Sequence, residues 1–330
     1  MKVIVTGGAG FIGSHLVELL CKKKEIKKIL ILDHLQDGSL KNIKNILKNK
    51  KVILKKVDIR KTQKIVKFFK DIKCVFHLAA MSDVVPSITD PKNYLETNII
   101  GTMNVLEAMR KNKVNKIIYA ASSSCYGIPK KYPTNENEKI SPKYPYAFSK
   151  NIGEQMIEHW SSVYNINFIS LRLFNVYGTR SRTHGAYGAA LGVFLKQKLS
   201  NNPYTIVGNG KQKRDFINVK DVAEVFYKSL KSSKKNKIYN VGSGKPISVN
   251  KLVSFLKGKK VFIPKRPGEP DTTHANINLI KNDLNWKPKI SIQDGIKEVL
   301  ANINYWKKSP LWTKSKIKKA TKDWFKYLKK

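Results

Sequence analysis

Short apolar runs alternate with amphipathic stretches through the first half of the chain. The apolar runs are KVIVT, KILILD, KVILKKVD, CVFHLAA, KIIYAASS and FISLRLFN, and helical periodicity is present near residues 11–24, 91–112 and 144–164. Continuous apolar strands that alternate with helices are typical of a parallel sheet covered by helices on both faces. The pattern therefore predicts an α/β fold built on a doubly wound parallel sheet through about residue 175.

Beyond this point the alternation loosens into Gly-rich loops. A short strand is predicted at 204–207, and helices are predicted near 188–200, 219–232, 248–257 and 291–305. These elements predict a smaller C-terminal α/β lobe over residues 176–330, with a segment near 213–240 that returns to the first domain.

The Lys-rich end of the chain, residues 313–330, also carries apolar side chains. They are Ile317, Ala320, Trp324, Phe325 and Leu328. We predict a terminal helix that packs on the body rather than a membrane anchor. No apolar run approaches the ~20 residues that span a bilayer, and the chain opens directly into a strand without a signal-like segment. The sequence therefore predicts a cytoplasmic protein with no membrane partner.

The formal net charge of the 330-residue chain is +41, a value that often indicates nucleic acid or an anionic membrane as a partner. Lysines, however, occur in nearly every segment, including 41–52 and 225–236, rather than in one basic arm or stripe. We therefore expect a lysine-rich surface and no nucleic-acid partner.

Arginine is scarce by comparison, with seven residues among the 64 that are Lys or Arg. A chain that uses Lys almost everywhere should keep Arg where a planar, bidentate fork is needed, as for a diphosphate. Arg214 and Arg266 are therefore candidate ligands of a diphosphate. The three cysteines, Cys21, Cys74 and Cys125, are widely spaced and match neither a disulfide framework nor a metal site.

A glycine-rich segment, TGGAGFIG, follows the first predicted strand and leads into a helix. Gly7, Gly10 and Gly13 have the spacing Gly-x-x-Gly-x-x-Gly, which lets a backbone approach a pyrophosphate at a helix N-terminus. Asp33 lies twenty positions beyond Gly13, where a carboxylate can bind ribose hydroxyls and repel a 2′-phosphate. This favours NAD over NADP. The alternative for Asp33 is an aspartate of a turn. Asp58, after the third predicted strand, is a candidate to contact the adenine edge, and its alternative is a solvent-exposed aspartate.

Tyr146 and Lys150 are four residues apart at the start of a predicted helix, so their side chains lie on one face. An ammonium group beside a phenol favours the phenolate, which is the form that acts as a general base. A run of serines, Ser122 to Ser124, ends a predicted strand. Together with the glycine segment, these features are hard to obtain from packing alone and indicate a catalytic site.

The motifs TGGAGFIG, VFHLAA, ASSSCYG, YPYAFSK, LRLFNVYG, QKRDFINVKDV and RPGEP resemble those of extended short-chain dehydrogenases/reductases, in particular the nucleotide-sugar 4-epimerases. The resemblance covers essentially the whole chain. It implies that Ser122, five positions before Gly127, is catalytic and that Tyr146 is the base. Lys150 is implied to bind the nicotinamide ribose and to lower the pKa of the tyrosine.

The resemblance also implies a Rossmann-type NAD-binding domain over residues 1–175 and a mainly substrate-binding lobe over 176–330. The implied reaction is a 4-epimerisation, in which C4 of the sugar gives hydride to NAD, the 4-keto sugar turns, and hydride returns to the opposite face. The predicted cofactor contacts are Gly7, Gly10, Phe11, Ile12, Gly13, Asp33, Asp58, Ile59, Ala79, Asn98, Tyr146 and Lys150.

Substrate contacts are implied in the same way. Asn175 resembles the asparagine that contacts the diphosphate-sugar, and Arg214 and Arg266 resemble two diphosphate arginines. Glu269 stands where the family often has an aspartate facing the uridine ribose. Thr273, seven residues after Arg266, lines the wall beside the C2 substituent, and its small size predicts acceptance of UDP-GlcNAc and UDP-GalNAc as well as UDP-Glc and UDP-Gal. The alternative for Arg214 is a structural ion pair with Asp215 or Asp221.

Two other functions compete with 4-epimerisation. A 4,6-dehydratase or a glucuronate-processing enzyme shares the fold, but related dehydratases place acids where this chain has Ser123 and Ser124, and relatives that process glucuronate often have Thr at the position of Asn175. A non-catalytic NAD-binding or nucleic-acid-binding protein is disfavoured by the intact Ser122, Tyr146 and Lys150. By the same resemblance we expect a homodimer through the helices near 91–112 and 146–164.

Overall fold

The computed structural model describes residues 1–181 and 190–328. Within those residues the main sheet has seven strands, all parallel. Their spatial order is Lys237–Val241, Asn167–Leu173, Lys116–Ser122, Cys74–His77, Lys2–Thr6, Lys28–Asp33 and Val52–Lys56. The winding direction reverses at the first strand, so a crevice opens at the carboxyl ends of the strands beside it. The predicted doubly wound α/β sheet is confirmed.

Helices cover both faces of this sheet. Phe11–Cys21 packs against Val219–Lys231 on one face, and Gly101–Lys111 packs against Pro145–Tyr164 on the other. Alternate residues of the first strand enter two separate cores, Val3 on one side and Ile4 on the other. Both faces of the strand are therefore buried, which explains why the strands read as continuous apolar runs.

Three two-stranded sheets accompany the main sheet in the part of the chain that the structure describes. Their paired strands are Asn175–Tyr177 with Phe216–Asn218, Lys213–Arg214 with Ile247–Ser248, and Tyr204–Val207 with Lys260–Ile263. The remaining α-helices are Leu40–Ile43, Thr62–Ile65, Pro86–Thr89, Pro91–Leu95, Ala190–Leu199, Val249–Leu256, Asn278–Leu284, Ile292–Ala301, Lys314–Ala320 and Lys322–Tyr327. Short 3-10 turns occupy Ile46–Lys48, Val66–Phe69, Ser123–Tyr126 and Ile303–Trp306.

Some of these bounds differ from the predicted ones. The single helix predicted near 91–112 is divided by a π-helical turn, Glu96–Ile100. The helix predicted near 188–200 is described from Ala190 onward, since residues 188 and 189, like Arg182, lie outside the described residues. Lys237–Val241 pairs with the main sheet although it follows strands of the second lobe. The domain boundary at residue 175 stays a prediction.

A buried ion pair fixes the long helix Pro145–Tyr164 to the sheet. Nη2 of Arg172 lies 2.6 Å from Oε1 of Glu154, and the two side chains are only 6% and 4% exposed. Ser170 also donates a hydrogen bond to Glu154, and Nη1 of Arg172 donates to the Tyr126 hydroxyl. The helix, the strand Asn167–Leu173 and the segment after Ser122 are thus tied together. None of the described helices has the length and apolar character needed to cross a membrane.

Candidate active site

A cavity of about 510 Å³ lies along the carboxyl ends of the central strands. At one end it is lined by the glycine segment, in the middle by Ser122, Tyr146 and Lys150, and at the other end by Arg214 and Arg266. The position beside the topological switch point is the usual ligand site of an open α/β sheet. One cavity therefore brings together the three groups of residues that the sequence singled out separately.

The glycine segment forms a cradle that side chains would fill. Gly7 has a φ of +69°, and a Cβ there would lie 2.8 Å from the backbone nitrogen of Ala79. A Cβ on Gly13 would lie 2.2 Å from the carbonyl oxygen of Gly7. Gly10 caps the helix Phe11–Cys21, whose first N–H groups face the cavity end that the glycines line. The backbone can therefore hold the pyrophosphate of a dinucleotide.

Asp33 ends its strand next to this cradle. Its carboxylate accepts hydrogen bonds from the backbone nitrogens of Ala9 at 3.0 Å and Leu35 at 2.8 Å, and burial raises its pKa. Asp58 also lines the cavity, but Arg60 forms an ion pair with it at 2.7 Å. Asp33 is therefore the better placed of the two carboxylates to bind ribose hydroxyls, while Asp58 is engaged by the arginine.

Ser122 is the last residue of its strand, and Tyr146 lies in the first turn of the long helix. Both side chains line the cavity, and Ser122 lies close enough to the phenol of Tyr146 to affect its pKa. Burial raises the pKa of Tyr146, while the neighbouring Ser122 acts in the opposite direction. Burial of the phenol therefore opposes the lowering of this pKa that the sequence assigns to Lys150.

Lys150 is 4% exposed, and burial lowers its pKa to about 7, with Glu154 acting in the raising direction. Its Nζ lies 4.0 Å from the centroid of the Tyr119 ring, and His77 stacks on the same ring at 5.6 Å. A Cβ on Gly153 would lie 2.5 Å from the Tyr119 hydroxyl, so the glycine makes room for the ring beneath the helix. His77 and Tyr119 belong to the sequence motifs VFHLAA and KIIYAASS. The sequence does not predict their contact, because it depends on how the two strands pair in the sheet.

Six residues are predicted to bind a substrate. Ser122 lies in the middle of the cavity, and the other five line the end opposite the glycine segment: Asn175, Arg214, Arg266, Glu269 and Thr273. The carboxylate of Glu269 pairs with Arg266 at 2.8 Å and with Arg214 at 3.7 Å. Burial lowers the pKa of Arg214, and Glu269 opposes that effect. Two arginine forks with one carboxylate between them can take up a doubly charged diphosphate.

The alternative partners of Arg214 are engaged elsewhere. The carboxylate of Asp215 accepts hydrogen bonds from the backbone nitrogens of Ser243, Gly244 and Ala275. Asp221 accepts from two backbone nitrogens at 3.1 Å, those of residues 289 and 290. Both aspartates therefore hold loops in place, and the structural ion pair considered for Arg214 is not formed with either.

Thr273 is more than a small residue on the cavity wall. Its hydroxyl donates to Oδ1 of Asn175 at 2.9 Å and accepts from the backbone nitrogen of Asp215 at 3.1 Å. The amide oxygen of Asn175 is thereby fixed, which leaves its amide nitrogen as the group that can face a ligand. No sequence pattern links positions 98 residues apart, so this contact was not predicted.

Asn98 does not line the cavity, and its predicted contact with the cofactor stays a prediction. It is fully buried in the π-helical turn, and its amide nitrogen donates to Ser149 at 2.9 Å and to the Met81 carbonyl at 3.0 Å. These contacts hold the loop after Cys74–His77 against the long helix. Asn98 therefore lies behind the residues that line the cavity and supports them.

Asp83 lines the cavity, and its charge raises the pKa of Tyr146. From the sequence, acids were sought only at positions 123 and 124, so Asp83 was not predicted. Tyr144 was also missed; it lines the cavity, and Ser124 lowers its pKa against the larger, raising effect of burial.

The sequence matches the family described as GDP-mannose 4,6 dehydratase over residues 4–299. It is 38% identical over 306 residues to a putative UDP-glucose 4-epimerase of Methanocaldococcus jannaschii, covering 90% of this chain and 97% of the relative. The fold is similar to a UDP-N-acetylglucosamine 4-epimerase of Methanobrevibacter ruminantium, with a TM-score of 0.84, 30% identity, and coverage of 91% and 98%. A UDP-glucuronic acid 4-epimerase of Bacillus cereus, solved with UDP-glucuronic acid and NAD, gives a TM-score of 0.85, 32% identity, and coverage of 93% and 99%.

The buried Lys150 should make stability depend on pH. Its pKa is about 7 in the folded protein and near 10.5 when exposed, so the unfolded chain binds more protons between these values and wild-type stability rises with pH across this window. In protein freed of nucleotide, Lys150→Met should raise Tm by roughly a few degrees at pH 6, and this gain should shrink toward pH 10. Lys297→Met, at an exposed position, is the control. A Tm difference that does not change with pH would contradict the burial of the ammonium group.

Proposed function

Because the chain belongs to the family described as GDP-mannose 4,6 dehydratase, within the extended short-chain dehydrogenases/reductases, we propose that it is an NAD-dependent isomerase that interconverts C4 epimers of UDP-hexoses. The observation that carries this proposal is the Ser122–Tyr146 pair. It lies in one cavity between a dinucleotide cradle and a pair of arginines. The similarity to UDP-sugar 4-epimerases supports it.

NAD is the proposed cofactor. The backbone of the cradle from Gly7 to Gly13 would hold its pyrophosphate, Asp33 would bind the adenosine ribose, and Lys150 would bind the nicotinamide ribose. When bound, NAD accepts a hydride from C4 of the sugar and returns it. The net redox change is zero, so the cofactor remains with the protein through successive turnovers.

The chain's own residues move the proton. Tyr146 removes the proton from the 4-hydroxyl of the sugar as C4 is oxidised, and Ser122 holds the phenol and the hydroxyl in line. The resulting 4-keto sugar turns in the cavity before C4 is reduced on its opposite face, and Tyr146 returns the proton to the new 4-hydroxyl. Since burial and the charge of Asp83 both raise the pKa of Tyr146, we expect the positive nicotinamide ring to supply part of the lowering that a base requires.

At the other end, Arg214 and Arg266 bind the diphosphate, Asn175 contacts the diphosphate-sugar, and Glu269 is proposed to release the arginines and face the uridine ribose. Neutral hexoses and their N-acetyl derivatives are the proposed sugars. A 4,6-dehydratase stays a second candidate because elimination needs an additional acid or base near the sugar, and Asp83 lines the same cavity.

Removal of the proposed base should abolish turnover without emptying the cofactor site. Tyr146→Phe and Ser122→Ala should each lower kcat by about 10²- to 10⁴-fold, because general acid–base catalysis is lost while the glycine cradle is intact. Proton NMR of UDP-glucose and UDP-galactose measures turnover, and absorbance of released nucleotide measures bound NAD. Tyr164→Phe, on the exposed end of the same helix, is the matched control. Wild-type turnover in Tyr146→Phe would remove the phenol from the mechanism.

The sugar specificity is proposed to depend on Thr273. A tyrosine there should fill the space beside the C2 substituent, since overpacking costs about 1–3 kcal/mol or more. Thr273→Tyr should therefore abolish activity on UDP-GlcNAc and retain most of the activity on UDP-Glc.

Thr273→Tyr also removes the hydrogen bond to Asn175. Thr273→Val removes the same hydrogen bond without adding bulk, so it measures the effect of the bond alone. The valine variant keeps the size of threonine, so it should lower activity on both substrates equally, and Thr273→Ser should retain both activities. Absence of UDP-GlcNAc activity in the wild type would refute this account of specificity while leaving the 4-epimerase proposal intact.

We also propose a homodimer. On the long helix, Phe148, Ile152 and Met156 follow one another at four-residue spacing and none is buried, with Phe148 46% exposed. Ile100, 42% exposed, lies on a neighbouring helical segment. An uncovered apolar stripe of this kind suits a two-fold interface in which helices pack on their copies.

Ile152→Lys should convert the dimer into a monomer, because it places a charge at the centre of this stripe. Light scattering coupled to size-exclusion chromatography measures the mass. Lys297→Glu, at an exposed site on another helix, should leave the mass unchanged. A wild-type mass near 37.6 kDa, that of a single chain, would contradict the proposal.

A further inference from the structure

The C-terminal helices Lys314–Ala320 and Lys322–Tyr327 lie beyond residues 4–299, the part of the chain that matches the family. They nevertheless pack against the substrate end of the cavity. Ile317 and Trp324, 4% and 1% exposed, form an apolar cluster with Val207, which lines the cavity. The predicted terminal helix is thus present as two short helices on the body, and residues 329 and 330 lie outside the described residues.

Trp324 contacts one of the two arginines at this end of the cavity. The centroid of its ring lies 5.7 Å from Cζ of Arg266, within the range of a cation–π interaction. Its Nε1 donates a hydrogen bond to the Pro267 carbonyl at 2.9 Å, so the indole also holds the backbone next to the arginine. The Tyr144 ring lies 5.6 Å away and forms part of the cavity wall. Trp324 is therefore fixed on several sides while it contacts the guanidinium group.

We infer that Trp324 is a positioning residue for the diphosphate of the substrate, acting through Arg266. This inference rests on the proposed function, in which Arg266 binds the diphosphate of a UDP-sugar. The side chain of Arg266 is 11% exposed and lies near a second cation, Arg214, which it repels. An aromatic face beside a largely buried guanidinium stabilises the cation and limits its rotamers, so the fork is ordered before a ligand arrives.

The consequence is that the C-terminal segment contributes to substrate affinity without contacting the substrate. Trp324 itself does not line the cavity. It packs behind three residues that do, namely Arg266, Tyr144 and Val207. Its loss should weaken diphosphate binding, raise KM and leave the chemical step at Tyr146 nearly unchanged. The cofactor cradle at the opposite end should be unaffected.

The experiment measures binding of UDP by titration calorimetry, KM and kcat for the UDP-sugar, bound NAD, and Tm. Trp324→Leu keeps an apolar side chain but removes the ring face and the N–H donor, and should weaken UDP binding and raise KM by about 10-fold with kcat within about twofold. Trp324→Phe keeps a ring and should recover most of the affinity. Trp286→Leu, at another buried tryptophan in the core of the main sheet, should lower Tm without a selective change in KM.

A double-mutant cycle tests whether the effect passes through Arg266. Arg266→Lys alone should weaken UDP binding, because an ammonium group cannot reproduce the bidentate contacts. Trp324→Leu should then add little to Arg266→Lys. Wild-type UDP affinity in Trp324→Leu, or fully additive effects in the cycle, would overturn the inference. If Trp324→Leu does not fold, a Trp324→Phe variant with unchanged Tm and a KM as high as that of Arg266→Lys would also overturn it. A wild-type protein that binds no UDP would instead overturn the proposed function on which the inference rests.

Discussion

The buried ion pair between Glu154 and Arg172 determines where the proposed catalytic groups lie. Glu154 belongs to the helix that carries Tyr146 and Lys150, and Arg172 belongs to the strand next to the one that ends in Ser122. Breaking such a pair by removing one partner costs about 3–5 kcal/mol, because a charge is left buried without compensation. Arg172 also donates to the Tyr126 hydroxyl, which in turn donates to Asn240. The same guanidinium therefore fixes the helix, the segment after Ser122 and the last strand of the sheet in one arrangement.

This arrangement allows an ammonium group to be buried in the cavity wall. Lys150 lies one helical turn before Glu154 and against the ring of Tyr119, so the carboxylate and the aromatic face offset part of the cost of removing it from water. The ring fits beneath the helix only because residue 153 is glycine. At the other end of the cavity, two partly buried arginines share the carboxylate of Glu269, and Trp324 contacts one of them. Charges are thus held in place by the fold before any ligand binds.

Much of the fold and of the cavity lining could be predicted from the sequence because the determining residues are local. The spacing of Gly7, Gly10 and Gly13 and the four-residue spacing of Tyr146 and Lys150 are properties of one turn or one helix. What the sequence did not predict depends on contacts between distant segments. Asn98 is held behind the cavity wall by Met81 and Ser149, Thr273 bonds to Asn175, and Trp324 reaches Arg266 from the end of the chain. No periodicity or motif encodes these contacts, since each arises from how the strands and the terminal helices are arranged in space.

In the proposed reaction, C4 of a UDP-hexose is oxidised and reduced within one cavity with no exchange of its hydrogen with solvent. UDP-glucose carrying deuterium at C4 tests this most directly when the products are followed by NMR and mass spectrometry in ordinary water. The account predicts UDP-galactose that keeps the deuterium at C4, because the hydride that leaves C4 returns to it. Loss of the label to solvent, or formation of a 4-keto-6-deoxy sugar in place of the epimer, would contradict it.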